Sequence, residues 1–253
     1  MTNYLIIKKM KFFLTIAASD NSGGAGIQQD IKVADSLGLW GLSSVTGITV
    51  QDFNGVDKIY PVDHNILKEQ IEINFNSFNI SAVKTGALCS TENIRIVSEL
   101  LIKYKPENIV VDTVFAPSSG NKFINDEDID IYVKTLFPVA HIITPNRNEL
   151  SLIAKQDIKN IDHAAEIALE LSEQYGCTIY VTGGHFSGST VKEALITNGI
   201  ITFIEKERIT MKYTHGTGCT FSSALACYLA NGHPLHEACK KATEYVSKLY
   251  KNN

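Results

Sequence analysis

The segment Thr214-His215-Gly216-Thr217-Gly218-Cys219-Thr220 runs directly into an apolar stretch, Phe221 to Leu229, whose length suits a helix that begins inside the glycine turn. Glycines at a helix start let successive backbone N–H groups converge, and the helix dipole adds a fractional positive charge at the same place. The chemistry this predicts is an anion hole built from the N–H groups of Gly216, Thr217, Gly218 and Cys219. A cysteine in the first turn of such a helix is expected to have a lowered pKa, which suits it to act as a base or a nucleophile. Read without that chemistry, Gly218 relieves close packing and Cys219 is a small buried residue. Cys89, Cys177, Cys227 and Cys239 have no comparable setting.

A second polar cluster, Ser19 to Asp30, follows an apolar run and opens a helix. A dinucleotide site requires GxGxxG, but Gly24-Ala25-Gly26 is followed at the third position by Gln29, where Gly or Ala is needed for close helix packing. No GxxxxGK[ST] phosphate loop occurs in the sequence, so any phosphate chemistry belongs to another architecture. Asp112 ends one β-type run, and Asn146 and Glu149 follow another. Oxygen ligands of this kind suit Mg²⁺, although Asn146 reads equally well as the cap of the next helix. His233, His236 and Glu237 have a weak metal spacing interrupted by Pro234 and read as a surface helix start. His185 and His215 flank glycines and suit peripheral contacts.

These residues need a scaffold, and the pattern between them supplies one. Short β-branched runs at Phe12 to Ala18, Ser44 to Val50, Ile80 to Thr85, Asn108 to Asp112, Val139 to Thr144 and Thr178 to Thr182 alternate with helical patterns. Ile161, Ala164, Ala165, Ala168 and Leu171 form one such helical face. Alternation of this kind predicts an α/β domain with a mostly parallel central sheet and helices on both faces. Val191 to Thr197 and Ile200 to Ile204 flank Asn198-Gly199, a hairpin signal, so an antiparallel edge is expected there. Two helices, Thr217 to Ala230 and Leu235 to Tyr250, close the chain. Ligands of open α/β sheets bind beyond the carboxyl ends of the strands, where Ser19 to Gly26, Val111 to Gly120, Thr144 to Glu149 and Thr182 to His185 fall.

The motifs Ala17-Ala18-Ser19-Asp20-Asn21-Ser22-Gly23-Gly24-Ala25-Gly26-Ile27-Gln28-Gln29-Asp30, Thr144-Pro145-Asn146 and His215-Gly216-Thr217-Gly218-Cys219-Thr220 resemble those of hydroxymethylpyrimidine and phosphomethylpyrimidine kinases, in the family's order and at roughly its spacing. The resemblance spans about Phe12 to Tyr245. It implies a ribokinase-like three-layer sandwich, ATP and Mg²⁺ as cofactors, and phosphorylation of a hydroxymethyl heteroaromatic in thiamine biosynthesis. By this resemblance Cys219 is the catalytic residue, aided by Gly216, Thr217 and Gly218. Gln51 reads the aminopyrimidine edge, and Asp30, Gly24, Ala25 and Asp20 belong to the substrate pocket. Thr182, Gly184, Asn146, Thr217 and Gly218 serve the nucleotide, and Asp112 and Glu149 the metal. Similar kinases usually carry lysines where Thr182 and Ser118 stand, which leaves Lys84, Lys122, Arg147 and Lys192 as alternative cations. The stretch Ser118 to Asn121 is a candidate flap.

Composition narrows the alternatives. The 253 residues fit one domain, expected over residues 11–253 behind an N-terminal extension of residues 1–10, with Met10 a second candidate start. A net charge of -4 without a basic run disfavours nucleic acid. Lys8, Lys9 and Lys11 before Phe12 to Ala18 imitate a secretory signal, but the apolar run is short and Asp20 follows at once, so it reads as a first strand. No stretch is long enough to span a membrane. Five cysteines without CxxC spacing fit a reducing cytoplasm. A homodimer is expected from the resemblance. A pyridoxal or pyridoxine kinase, a non-catalytic vitamin-precursor sensor and an NAD-dependent oxidoreductase are the competing readings.

Overall fold

The computed structural model of the chain describes residues 10–52, 54–116, 121–184, 186, 189–209 and 215–251. The stretch from Phe12 to Ala18 is apolar but for Thr15, and all of it is buried. A strand of that kind must be covered on both faces. It becomes β1 (Phe12–Ser19), flanked in parallel by β2 (Trp40–Asp52) and β4 (Ile80–Thr85). The parallel run continues through β5 (Ile109–Val111), β6 (Ile142–Ile143) and β7 (Thr178–Val181). Antiparallel strands close both edges: β3 (Gly55–Pro61) on β2, and β8 (Thr190–Thr197) with β9 (Ile200–Glu207) on β7. The sheet order is β3-β2-β1-β4-β5-β6-β7-β8-β9.

Helices cover the two faces. Phe13 looks into a core with α1 (Gly26–Ser36), α7 (Thr217–Ala230) and α8 (Leu235–Tyr250), through Val33, Ala34, Ala224, Leu225 and Ala242. Phe12, Leu14 and Ile16 look the other way, onto α2 (His64–Ser77), α3 (Thr91–Tyr104), α4 (Asp126–Leu136), α5 (Arg147–Ala154) and α6 (Ile161–Tyr175). Side chains alternate across a strand, so one sequence feeds both cores, and the result is the expected three-layer sandwich. The α7 helix carries no charged residue and is buried from Thr220 to Cys227, as a helix laid across the sheet centre requires.

The hairpin at Asn198-Gly199 forms as expected, with φ of 51° and 74° at the two turn residues. The strand β3 was not expected, although Asn54-Gly55 carries the same turn signal. Of its seven residues only Val56 is buried, so the periodic pattern that marks a strand is missing. The run Val139 to Thr144 yields only Ile142–Ile143, because Phe137–Val139, with Pro138 inside it, forms a 3₁₀ turn. Residues 1–9 lie outside the described residues, and Met10 packs partly buried against the core.

Candidate active site

The chain leaves β1 toward one side of the sheet and reaches β4 on the other, and beyond the carboxyl ends of these strands lies a cavity of about 450 Å³. Its floor is the start of α7. Gly216, the helix cap, has φ 79°, and a Cβ placed on it would fall 1.9 Å from the Gly24 carbonyl oxygen. The turn therefore lies flat against the loop after β1, which only glycine permits. Gly218 faces open space, and Gly216, Thr217, Gly218 and Cys219 all line the cavity. Gly24 does not line it, because its carbonyl is turned to Gly216.

Asp20 fastens the two loops. Its carboxylate accepts from Ser22 N (2.7 Å), Ser22 Oγ (2.7 Å) and Ala25 N (2.8 Å), and faces His215 Nε2 at 3.1 Å. Burial works against its charge, but the hydrogen bonds from His215, Ser22 and Gln51 hold its pKa well below the usual carboxylate range. Asp20 lines the cavity with its oxygens already occupied, so it acts as a strut more than as a ligand contact. Gln51 is 9 % exposed at the end of β2, where its N–H donates to Asn21 Oδ1 at 2.9 Å. Ala25 and Gln51 line the cavity together with Ala87, Val114 and Phe123, an apolar wall beside one amide.

Under the floor lies a buried charge cluster. Lys84 Nζ sits 3.1 and 3.0 Å from the two Asp30 oxygens and 3.6 Å from Asp112 Oδ2. Burial opposes the Lys84 charge, but Asp30, Cys219 and Asp112 together more than offset it and the pKa is raised. Asp30 also accepts from Thr15 Oγ1 (2.6 Å) and Ser223 Oγ (2.7 Å) and has no exposed surface. It does not line the cavity, contrary to its expected place in the substrate pocket. The side chain turns inward because the Lys84 charge is there to be neutralised.

The surroundings of Cys219 work against the lowered pKa that a helix start favours. Burial pushes the thiol up to about 12; the Lys84 ammonium pulls it down, Asp112 and Asp30 push it up, and the Gly26 N–H lowers it slightly. The helix start alone does not compensate for the loss of water.

At the other end, Asn146 Oδ1 accepts from Asn148 N (2.9 Å) and Glu149 N (3.1 Å), while Glu149 Oε2 accepts from Asn146 N (2.8 Å). This is a capping box, so Asn146 does cap α5, and it lines the cavity as well. Glu149 also accepts from Thr113 Oγ1 at 2.9 Å. Burial, then the nearby Asp112, raises its pKa to about 8, and burial raises that of Asp112 too. Beside them the buried Thr144 hydroxyl has no hydrogen-bond partner. Two carboxylates that disfavour each other's charge, one after β5 and one in the first turn of α5, with the orphaned Thr144 hydroxyl after β6, are a hard-oxygen donor set that fits Mg²⁺.

Thr182 and Gly184 line the cavity, with Thr182 N bonded to Pro145 O at 3.0 Å. Of the alternative cations, only Lys84 lines it. Lys122 pairs with Asp126, Lys192 with Asp162, and Arg147 donates to Ile158 O. Glu193, Lys206 and Arg208, which the sequence reading did not name, line the cavity instead. The one signal available for Glu193 was a carboxylate inside the apolar strand Val191 to Ile196. His233 faces Glu237 on the surface, as expected. His185 and residues 118–120 of the candidate flap lie outside the described residues.

A mostly parallel sheet sandwiched by helices, with a glycine turn and a cysteine at a helix start on the cavity floor, is the architecture of the ribokinase-like small-molecule kinases. The phosphomethylpyrimidine kinase family matches residues 20–253. The chain is 35 % identical over 234 residues to the thiamine biosynthesis bifunctional protein ThiED of Geobacter sulfurreducens, covering 92 % of this chain and 48 % of that protein, so it spans about half that length. It is 33 % identical over 241 residues to a hydroxymethylpyrimidine/phosphomethylpyrimidine kinase of Staphylococcus aureus, covering 94 % of this chain and 87 % of that one. Among solved structures, the ADP complex of Bacillus subtilis pyridoxal kinase superposes with a TM-score of 0.89 at 31 % identity, covering 96 % of this chain and 92 % of that one. The chain belongs to the phosphomethylpyrimidine kinase family, and it is a phosphotransferase.

Proposed function

We propose that the chain transfers the γ-phosphoryl group of ATP to the hydroxymethyl group of 4-amino-5-hydroxymethyl-2-methylpyrimidine, and then to the resulting monophosphate, in thiamine biosynthesis. The observation that carries this reading is that one cavity is lined by Gln51 with an apolar wall, by Cys219, and by Asn146, Glu149, Asp112 and Thr182. The Gln51 amide offers both a donor and an acceptor, which an aminopyrimidine edge requires. Cys219 Sγ is the group placed to take the proton of the attacking hydroxyl, and the Lys84 ammonium below opposes, without cancelling, the burial that disfavours its thiolate. The N–H groups of Gly216 to Cys219 stabilise the charge that spreads over the phosphoryl oxygens. Asp112, Glu149 and the Thr144 hydroxyl would hold Mg²⁺, whose contribution there is to neutralise phosphate charge.

Phosphorus NMR of the products tests this directly. The expected result is a pyrimidine monophosphate ester followed by a diphosphate; ATP hydrolysis without ester formation would contradict it. Pyridoxal phosphorylation is the second reading, favoured by the close superposition on the Bacillus subtilis pyridoxal kinase. A homodimer is proposed across the exposed apolar face of Ile48, Val50 and Tyr60 on β2 and β3, to be checked by light scattering. Five free cysteines and dependence on ATP favour the cytoplasm, and among the described residues no helix is long and apolar enough to cross a membrane. Residues 11–253 are proposed to act as one domain.

A further inference from the structure

Lys84, Lys206 and Arg208, with the imidazole of His215, are the basic side chains among the described residues that line the cavity. Lys84 is enclosed by Asp30 and Asp112 with no exposed side-chain surface, and His215 is engaged by Asp20. Lys206 stands differently, on β9 with its side chain 25 % exposed and its Nζ 3.2 Å from Glu193 Oε2.

Glu193 is an unusual residue for its place. It lies on β8 with 4 % of its surface exposed. Its Oε2 accepts from Tyr180 Oη (2.9 Å) and Thr243 Oγ1 (3.0 Å), and its Oε1 from Gly183 N (3.3 Å). Those donors are neutral, and a carboxylate so far from water is costly unless a cation accompanies it. Lys206 is the cation that the described contacts provide. The Glu193 carboxylate thus fixes two donors at once, the Lys206 ammonium and the Gly183 peptide.

A Cβ on Gly183 would fall 2.2 Å from Lys192 O, so the loop lies directly on β8. The same loop reaches the metal end of the cavity: Thr182 N bonds Pro145 O, next to the Asn146 cap and Glu149. Arg208 donates to the carbonyls of Gly184 and Phe186 on the loop's far side. An ammonium has three N–H donors, so with one on Glu193 the others remain for an anion. A compact point charge of this kind suits phosphate oxygens.

We propose that Lys206 is the cation that faces the polyphosphate of the donor nucleotide, and that Glu193 is a positioning residue acting through Lys206 and the Gly183 N–H. This rests on the reading of the cavity as an ATP-dependent kinase site. Lys206→Met keeps the stem and removes the charge. The loss of one charge-assisted hydrogen bond is expected to raise KM for ATP and Kd for ADP by roughly 10- to 100-fold. KM for the acceptor alcohol should stay within about twofold, and Lys206→Arg should recover most of the nucleotide affinity. Glu193→Gln should weaken ATP binding in the same direction, and in the Lys206→Met background it should add little further loss, because it acts through a charge already gone.

Thermal melts accompany each variant, and Lys206→Gln carries the same test if the methionine variant folds poorly. Unchanged ADP affinity in the folded variant, or an equal loss of affinity for ATP and for the acceptor, overturns the proposal. A wild-type enzyme that turns over no alcohol with ATP defeats the kinase reading itself. An active wild type with an indifferent Lys206→Met defeats only the role of Lys206.

Discussion

Gly216→Ala is the substitution whose consequences the structure fixes most tightly. The residue holds φ 79°, where an L side chain costs about 1–2 kcal/mol. Its Cβ would fall 1.9 Å from Gly24 O, so the turn and the loop after β1 must part by about 1.5 Å to restore ordinary contact. Adding about 1–3 kcal/mol for that overpacking gives a destabilisation of about 2–5 kcal/mol. For a chain of this size the melting temperature should drop by about 5–15 °C. Displacing the anion-hole donors by an ångström or more should lower kcat by at least about 100-fold even in the folded fraction.

Gly218→Ala separates architecture from chemistry. Nothing lies within 4 Å of a Cβ there, and the methyl group would enter the cavity. It should melt within about 2 °C of the wild type, since no contact is lost or strained, yet turn over more slowly because the methyl occupies phosphate space. Differential scanning calorimetry and an ADP-release assay read both variants. Wild-type melting and turnover in Gly216→Ala would refute the packing argument, and full turnover in Gly218→Ala would refute the anion hole.

Other outcomes follow from the same geometry. Cys219→Ala should lower kcat on the hydroxymethyl substrate by about 10²–10⁴-fold, but spare the second transfer, whose phosphate acceptor is already deprotonated near neutral pH; equal losses in single-turnover assays of both steps would contradict the role of base. Because burial pushes the thiol up to about 12, iodoacetamide should inactivate the free enzyme slowly at neutral pH and faster as pH rises well above the ordinary thiol range. Glu149, raised to about 8, stabilises the metal-free fold most fully below its unfolded pKa and loses that contribution as pH rises through 8. The melting temperature should therefore fall from about pH 5 to 8 and level off above, with a shallower slope in Glu149→Gln, and Mg²⁺ affinity should rise over the same interval as the proton leaves. Gln51→Leu should raise KM for the pyrimidine far more than KM for ATP, and unchanged pyrimidine kinetics would remove Gln51 from the site.

What the sequence discloses depends on how local the cause is. The glycine turn before α7 and the Asn146 cap are written within a few consecutive residues, and the alternation of apolar runs carries the layered sheet. The inward turn of Asp30 depends on Lys84, 54 residues away. Its place in the motif beside Gly24 and Ala25 gives no hint that its partner lies on another strand. The Glu193–Lys206 pair needs β8 and β9 side by side, with Thr243 of α8 and Tyr180 of β7 beneath. The rise of the Cys219 pKa has a related cause: the helix start is visible in the sequence, but the loss of water and the neighbouring carboxylates that oppose it come with the assembled layers. On β3, solvent exposure erases the pattern and leaves only the Asn54-Gly55 turn.

The central claim is that this cavity phosphorylates a hydroxymethylpyrimidine with ATP. Its most direct test is the kcat/KM for ADP release with the pyrimidine alcohol, its monophosphate and pyridoxal, measured side by side with Mg²⁺ present. The account predicts turnover of both pyrimidines, each with a higher kcat/KM than pyridoxal, because the Gln51 amide that lines the cavity offers both the donor and the acceptor an aminopyrimidine edge requires. Turnover of pyridoxal alone, or ATP consumption that ignores all three alcohols, would contradict it.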